Sequence, residues 1–139
     1  GKKEKTKTWY RKKLVERAKK IAIERDGGIC QRCGKSKISG WQIHGSHVFP
    51  EGKYHGMSVN TENIKALCAQ CHMWWHENPL ASSEWFRGKF PVRYKKLKKL
   101  SLKTIIVDWK KEYEDLKNEV NSMNEQQFQA LKDRQRGYK

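Results

Sequence analysis

Between Thr8 and about Arg25, Leu14, Ala18, Ile21 and Ala22 fall on one stripe, while Arg11, Lys12, Lys13, Lys19 and Lys20 lie off it. That spacing predicts an amphipathic helix, which Asp26-Gly27-Gly28 ends. The lysine-rich stretch before it, Gly1 to Thr6, reads as a disordered tail. The pattern then changes. Seven of the ten glycines fall between positions 27 and 56, and Trp41-Gln42-Ile43-His44 and His47-Val48-Phe49 stand among them. Short β-prone pieces between turn residues predict a two-stranded hairpin. Asn60 to Leu67 reads as a brief turn or helix. A helix is expected from Cys71 to about Glu77, with Pro79 ending it. Ser82 or Ser83 is placed to cap a short helix through Phe86. Pro91 to Leu100 reads as a helix with Lys95, Lys96, Lys98 and Lys99 outward. Leu102 to about Met123 reads as a longer one, with Ile105, Trp109, Leu116 and Val120 roughly on one side, and a last helix covers about 124–135. No internal repeat interrupts this order.

Composition sharpens the picture. With 139 residues and 36% hydrophobic positions, the chain is one domain with a thin core, and a staple is expected. No apolar run approaches the ~18 residues a membrane span needs. No apolar segment near the N-terminus reads as a signal peptide, so a cytoplasmic location is expected, the host cytoplasm for a phage-encoded chain. The net charge of +16 is unevenly spread. Residues 1–37 carry a net +10, residues 38–79 a net −1, residues 80–103 a net +7, and residues 104–139 balance. Two cationic blocks thus flank a nearly neutral middle. Solubility asks for a net charge of only ~2–8, so the excess points to an anionic polymer rather than a small apolar ligand.

The neutral middle and its near edge hold all the cysteines and histidines. Cys30-x2-Cys33 and Cys68-x2-Cys71 are paired as in knuckles that grip a tetrahedral zinc ion. Gly34 follows the first knuckle, where a turn favours a residue without Cβ. Four thiolates close the coordination shell, so this zinc would be structural, and it would supply the missing staple. Two disulfides are disfavoured without a secretory signal. Simple ribbons leave ~15–20 residues between such pairs, whereas 34 residues separate Cys33 from Cys68 here. The insertion contains His44, His47 and Asn63.

His72 and His76 lie one helical turn apart and can share a cation. His44 and His47 differ in strand parity, so they point to opposite faces, and His44 shares its face with Ser46. A neutral imidazole at His47 would suit a general base. His55, beside Lys53 and Tyr54, reads as loop surface. Trp74, Trp75, Trp85 and Phe86 could stack on bases, but at this spacing they read better as core.

Taken together, Cys30-x2-Cys33, Ser46-His47-Val48-Phe49-Pro50, Asn63-Ile64 and Cys68-x2-Cys71-His72 resemble an HNH nuclease of the ββα-metal fold, in the subset with two zinc knuckles. The resemblance covers about residues 29–79, and the stretch from His44 to Pro79 also resembles phage-encoded HNH proteins, some linked to recombination. It implies His47 as the general base, Asn63 as the residue that pins the loop and positions that base, and His72 as a ligand of a catalytic divalent metal. His76 matches an additional helix ligand. One departure stands out. The family usually places Asp or His immediately before the base as a metal ligand, and this chain has Ser46. His44, of the same parity, is the alternative ligand.

The fold expected is α+β and mostly helical: a ββα-metal nuclease core with a structural four-cysteine zinc site, flanked by basic helices. Its parts are a basic tail and helix (1–28), the HNH core (29–80) and a basic helical region (81–139). The activity expected is metal-dependent hydrolysis of DNA phosphodiesters, nicking one strand per site. Zn2+ would fill the cysteine site. The second site would take Mg2+, Mn2+, Ni2+ or Zn2+, because imidazole ligands leave the choice open. Arg11, Lys12, Lys19, Lys95, Lys96 and Lys99 are the candidates to hold the DNA backbone. No membrane and no small-molecule cofactor are expected, and the chain would be a monomer or homodimer. The rival readings are a zinc-stabilised DNA-binding module whose nuclease site has decayed, and a nuclease selective for branched DNA.

Overall fold

The structure, a computed structural model, describes residues 4–135. Part of the lysine-rich tail, residues 1–3, lies outside them. Helix α1 (Lys7–Arg25) starts where the Thr6 hydroxyl accepts the Trp9 amide N–H at 3.1 Å. It buries Tyr10, Val15, Ala18, Ile21 and Ala22. It ends at Asp26, followed by Gly27 and Gly28 at φ +68° and +67°, a backbone region that favours glycine.

The sheet differs from the predicted hairpin. Residues 41–49 do not fold back on themselves; one strand, β1 (Ile43–His47), runs through them and pairs antiparallel with β2 (Ile64–Cys68). Gly45 is therefore not a turn residue. It lies mid-strand under α1, where a Cβ would come within 2.7 Å of Lys19 Cβ and Cγ. The segment 60–67 is likewise not simply a turn or helix: a short 3-10 turn at Thr61–Asn63 leads into β2. All five residues of β2 are buried. Helix α1 covers one face, with Ala18 and Ala22 on Ile64. Helix α2 (Ala69–Glu77) covers the other, placing Cys71 and Trp75 against Leu67. A strand buried on both sides shows no alternation, which is why the pattern hid it.

Helix α2 begins two residues before Cys71, because the Cys68 sulfur accepts the Cys71 N–H at 3.4 Å and acts as its cap. Pro79 does more than stop it. It opens α3 (Pro79–Lys89), so Ser82 lies inside that helix, its hydroxyl donating to the Trp75 and Pro79 carbonyls. Helix α4 (Pro91–Ser101) follows, and Phe86 and Leu97 pack with Met57 beneath Val48, Phe49 and Tyr54. The expected helix from 102 is shorter. Helix α5 (Trp109–Ser122) starts where Asp108 accepts the Lys111 N–H at 3.2 Å. The β-branched run Thr104-Ile105-Ile106-Val107 before it is irregular and crosses the loop at Gly56, where a Cβ would lie 2.5 Å from Ile105 Cβ. Tyr113 of α5 meets the Trp9 ring edge-on and the Tyr10 ring at a tilt. Helix α6 (Glu125–Gln135) ends the described residues. No described helix is long and apolar enough to cross a membrane.

Two arginines converge on the start of β2 and share the Ile64 carbonyl. Arg25 donates to the Thr61 and Ile64 carbonyls, each at 2.6 Å. Arg93 of α4 donates to the Glu62 and Ile64 carbonyls at 2.6 and 2.7 Å. Charge-assisted bonds to main-chain carbonyls fix this strand between the helices that carry the basic blocks.

Candidate active site

The four cysteines come together at the base of the ββα unit. Cys30, Cys33, Cys68 and Cys71 place their sulfurs within 4.8 Å of one another. Gly34, at φ +82°, turns the first knuckle, and its N–H returns to the Cys30 carbonyl at 2.9 Å. Cys33 and Cys68 Sγ are 3.7 Å apart, far beyond a disulfide, and all four cysteines are free. Tetrahedral zinc with sulfurs at ~2.3 Å implies a sulfur–sulfur edge of ~3.8 Å, so the donor set fits a closed metal site. Burial opposes ionisation of Cys30, yet N–H groups of Cys68, Cys33 and Arg32 outweigh it and lower its thiol pKa. Burial raises that of Cys71, and the neighbouring sulfurs add to the rise. Four anions cannot share this space without a cation. The Arg32 guanidinium also supports the cluster, 3.5 Å from Cys71 Sγ and stacked 3.6 Å above the Trp74 ring.

Knuckle and sheet place three imidazoles side by side. His44 Nδ1 lies 3.0 Å from His72 Nδ1, and His72 Nε2 lies 3.1 Å from His76 Nε2. His72 is half-buried, and burial together with the adjacent His76 and His44 holds its pKa down to about 4. It is thus a neutral lone-pair donor at pH 7. It turns a different nitrogen to each neighbour, so the trio offers two edges, not one three-nitrogen cup. Among the described residues, the cysteines are the only group of three or more potential ligands whose donor atoms lie this close together.

His47 ends β1 on the opposite face. Its Nε2 lies 2.8 Å from the Ser58 carbonyl. A carbonyl only accepts, so Nε2 carries the hydrogen and Nδ1 keeps the free lone pair. Burial lowers the His47 pKa, and the Lys19 and Lys65 charges push the same way against the Ser58 bond and Glu51. Lys19 and Lys65 act on His72 too, so both rings border one cationic neighbourhood. The loop that supplies Ser58 is pinned by buried Asn63. Its Oδ1 accepts the Phe49 N–H at 2.8 Å, and its Nδ2 donates to the Phe49 and Met57 carbonyls at 3.1 and 3.2 Å.

Ser46 is buried and faces inward, its hydroxyl 2.9 Å from Lys65 Nζ. It is committed to the lysine, which leaves His44 as the residue of β1 beside His72. Lys65 itself was missed by sequence reasoning. A lone lysine inside Ile64-Lys65-Ala66-Leu67 reads as a surface residue, yet it is fully buried. Arg11, expected to meet DNA, is also buried, its Nε 3.9 Å from Glu51. Lys12 is exposed and shares that carboxylate at 3.8 Å, and Lys96 pairs with Glu62 at 3.0 Å. Lys95 and Lys99 are exposed on α4, and Lys19 is half-buried against Gly45. His55 is exposed on its loop, and Trp75, Trp85 and Phe86 pack into the core.

With that geometry in place, the comparison with known families is specific. Residues 30–76 match the family model described as HNH endonuclease, and this segment is an HNH endonuclease domain. Such a domain supports a nuclease-type, DNA-cleaving function that uses a divalent metal. No curated protein and no solved structure matches the chain.

Proposed function

We propose that the chain is a metal-dependent endonuclease that nicks one strand of DNA per site, with His47 as the general base. The observation that carries this reading is the His47–Ser58 bond, which fixes the tautomer and leaves Nδ1 as the proton acceptor. Nδ1 takes a proton from water as its oxygen attacks phosphorus, a contribution worth about 10²–10⁴-fold. The P–O3′ bond breaks, leaving a 5′-phosphate and a 3′-hydroxyl once the leaving oxygen is protonated. Asn63 acts through the loop, keeping the Ser58 carbonyl where it orients the ring. His72 with His44, or His72 with His76, would hold a divalent ion, which when bound supplies Lewis-acid stabilisation of phosphate charge. The cysteine tetrad would hold a structural zinc ion. Lys19, Lys95 and Lys99 would grip backbone phosphates, Lys12 and Lys96 would leave their carboxylates for DNA, and such contacts carry little sequence information.

The test is supercoiled plasmid incubated with wild type and His47→Ala across Mg2+, Mn2+, Ni2+ and Zn2+. Wild type should give nicked circles, and His47→Ala should bind DNA equally well and leave it intact. Equal cutting by the variant refutes the assignment. The inward turn of Ser46 favours a second reading, a DNA-binding module without hydrolysis. Binding with no nicking under any metal would establish it. Comparing junction, flap and plain duplex tests a preference for branched DNA.

A further inference from the structure

The least expected feature of the site lies beneath it. Lys65 is fully buried, and among the described residues no carboxylate bonds its ammonium. Its Nζ donates to the Ser46 carbonyl at 3.3 Å, the Ser46 hydroxyl at 2.9 Å and the His47 carbonyl at 3.1 Å. Trp75 presents its ring face 3.1 Å from the same nitrogen. Burying an amine among neutral acceptors is costly, and burial indeed pushes its pKa well down. An apolar residue in a strand whose other four members are Ile, Ala, Leu and Cys would avoid that cost. What the lysine supplies is three donors from one atom, all directed at the two residues that end β1. His47 sits at the rim of the sheet, where β1 leaves its partner and the 48–63 loop begins. A ring there keeps its direction only if its own main chain is held.

We propose that Lys65 is a positioning residue, tying down the Ser46 and His47 main chain and engaging the Ser46 hydroxyl so that the His47 imidazole keeps one orientation. Its catalytic consequence rests on the function proposed above; the positioning itself does not. Ser46, where this chain departs from the family pattern, and Lys65 then form one device. The serine before the base and the lysine opposite it, in register across the sheet, form a buried anchor where the family usually has a metal ligand. The ion is left to the histidines.

The experiment uses the full zinc-loaded chain as wild type, Lys65→Met, Lys65→Gln and Ser46→Ala. Long-range 1H–15N spectra of the imidazole rings read the His47 tautomer without any need for cleavage. Wild type should show a single tautomer with the hydrogen on Nε2, and Lys65→Met a mixture. In the plasmid assay, Lys65→Met should lose about 10–100-fold in kcat, the scale of a misplaced catalytic group, with KM unchanged. Lys65→Gln, which keeps two donors, should recover part of that loss, and Ser46→Ala should lose only a few-fold. A single wild-type tautomer in Lys65→Met overturns the proposal, as does wild-type kcat in that variant. If Lys65→Met fails to retain zinc and fold, Lys65→Gln and Ser46→Ala decide: wild-type spectra and kcat in both overturn it. If wild-type protein cuts nothing, the nuclease reading fails, and the spectra alone still decide whether Lys65 positions His47.

Discussion

The cysteine tetrad and the histidine cluster share helix α2, yet they are built on opposite plans. In the tetrad, two knuckles from distant parts of the chain bring four sulfurs within 4.8 Å of one another, three of them buried. In the histidine cluster, neighbouring rings meet pairwise at 3.0 and 3.1 Å, and His76 lies exposed. The first arrangement is complete with a metal ion alone. The second leaves coordination positions open, which is what a site must do if water and a phosphate oxygen are to enter. On the proposed function, a closed site would thus hold in place an open one that it does not itself complete. Predictions that separate the two sites test this division.

The largest effect should come from the closed site. Removing its metal, or making Cys68→Ser, should unfold the core, because structural zinc binding is worth about 10–16 kcal/mol in small zinc domains. His76→Ala, at an exposed position of the same helix, should change stability by less than about 0.5 kcal/mol. Thermal melts with zinc quantitation check both. Equal destabilisation by the two variants would erase the distinction.

Asn63→Ala comes next, because it strikes the open site through its support. It removes three bonds from a fully buried amide and strands the Phe49 N–H among apolar neighbours. We expect a loss of about 2–3 kcal/mol in stability, the cost of unsatisfied buried polar groups. Cleavage should fall by at least ~10-fold as the Ser58 carbonyl drifts from His47, while zinc content and DNA affinity stay near wild type.

The pH profile gives a smaller and more diagnostic effect. His47 must be neutral to accept a proton, and burial penalises its imidazolium, so its pKa lies below the ordinary value. At saturating metal, kcat/KM should therefore rise with pH with its midpoint below the ~6.5 of a free imidazole. The same sign holds for stability: the native state disfavours protonated His47, so its contribution is present above the unfolded pKa and lost as pH falls. A midpoint above ~6.5 would assign the limb to another group.

How much of this was legible beforehand depended on the kind of signal. The knuckles and the His72–His76 pair could be read from their fixed spacing along the chain, and His47 and Asn63 through the resemblance to the HNH family. The pairing of β1 with β2 could not. Sixteen residues separate the strands, Gly45 looks like a turn residue, and a strand buried on both faces loses its alternation. Lys65 was hidden for a related reason, since lysine almost never lies fully buried and only the register opposite Ser46 reveals its partners. The burial of Arg11 was equally invisible. On α1 it looks like its neighbouring cations, and only the fold brings Glu51 of the loop against it.

A last substitution tests how rigidly α1 supports the histidine site. At Gly45 an added methyl would lie 2.7 Å from Lys19 Cβ and Cγ and 3.1 Å from its Cα. The lysine tip can swing away, but Cα and Cβ belong to the helix itself, so α1 and β1 must part by a few tenths of an ångström. Gly45→Ala should cost about 1–3 kcal/mol, the usual range for overpacking. Gly52→Ala is the control, because nothing lies within 4 Å of its added methyl, and it should stay within about 0.5 kcal/mol of wild type. The cysteine tetrad has no part in the Gly45 contact, so zinc content should be unchanged. The Lys19 charge bears on both His47 and His72, so moving its helix should lower cleavage more than DNA binding. Should Gly45→Ala match the control in melting temperature and cleavage rate, α1 is a loose cover over the sheet, and the rigidity of the histidine site must come from α2 and the loop alone.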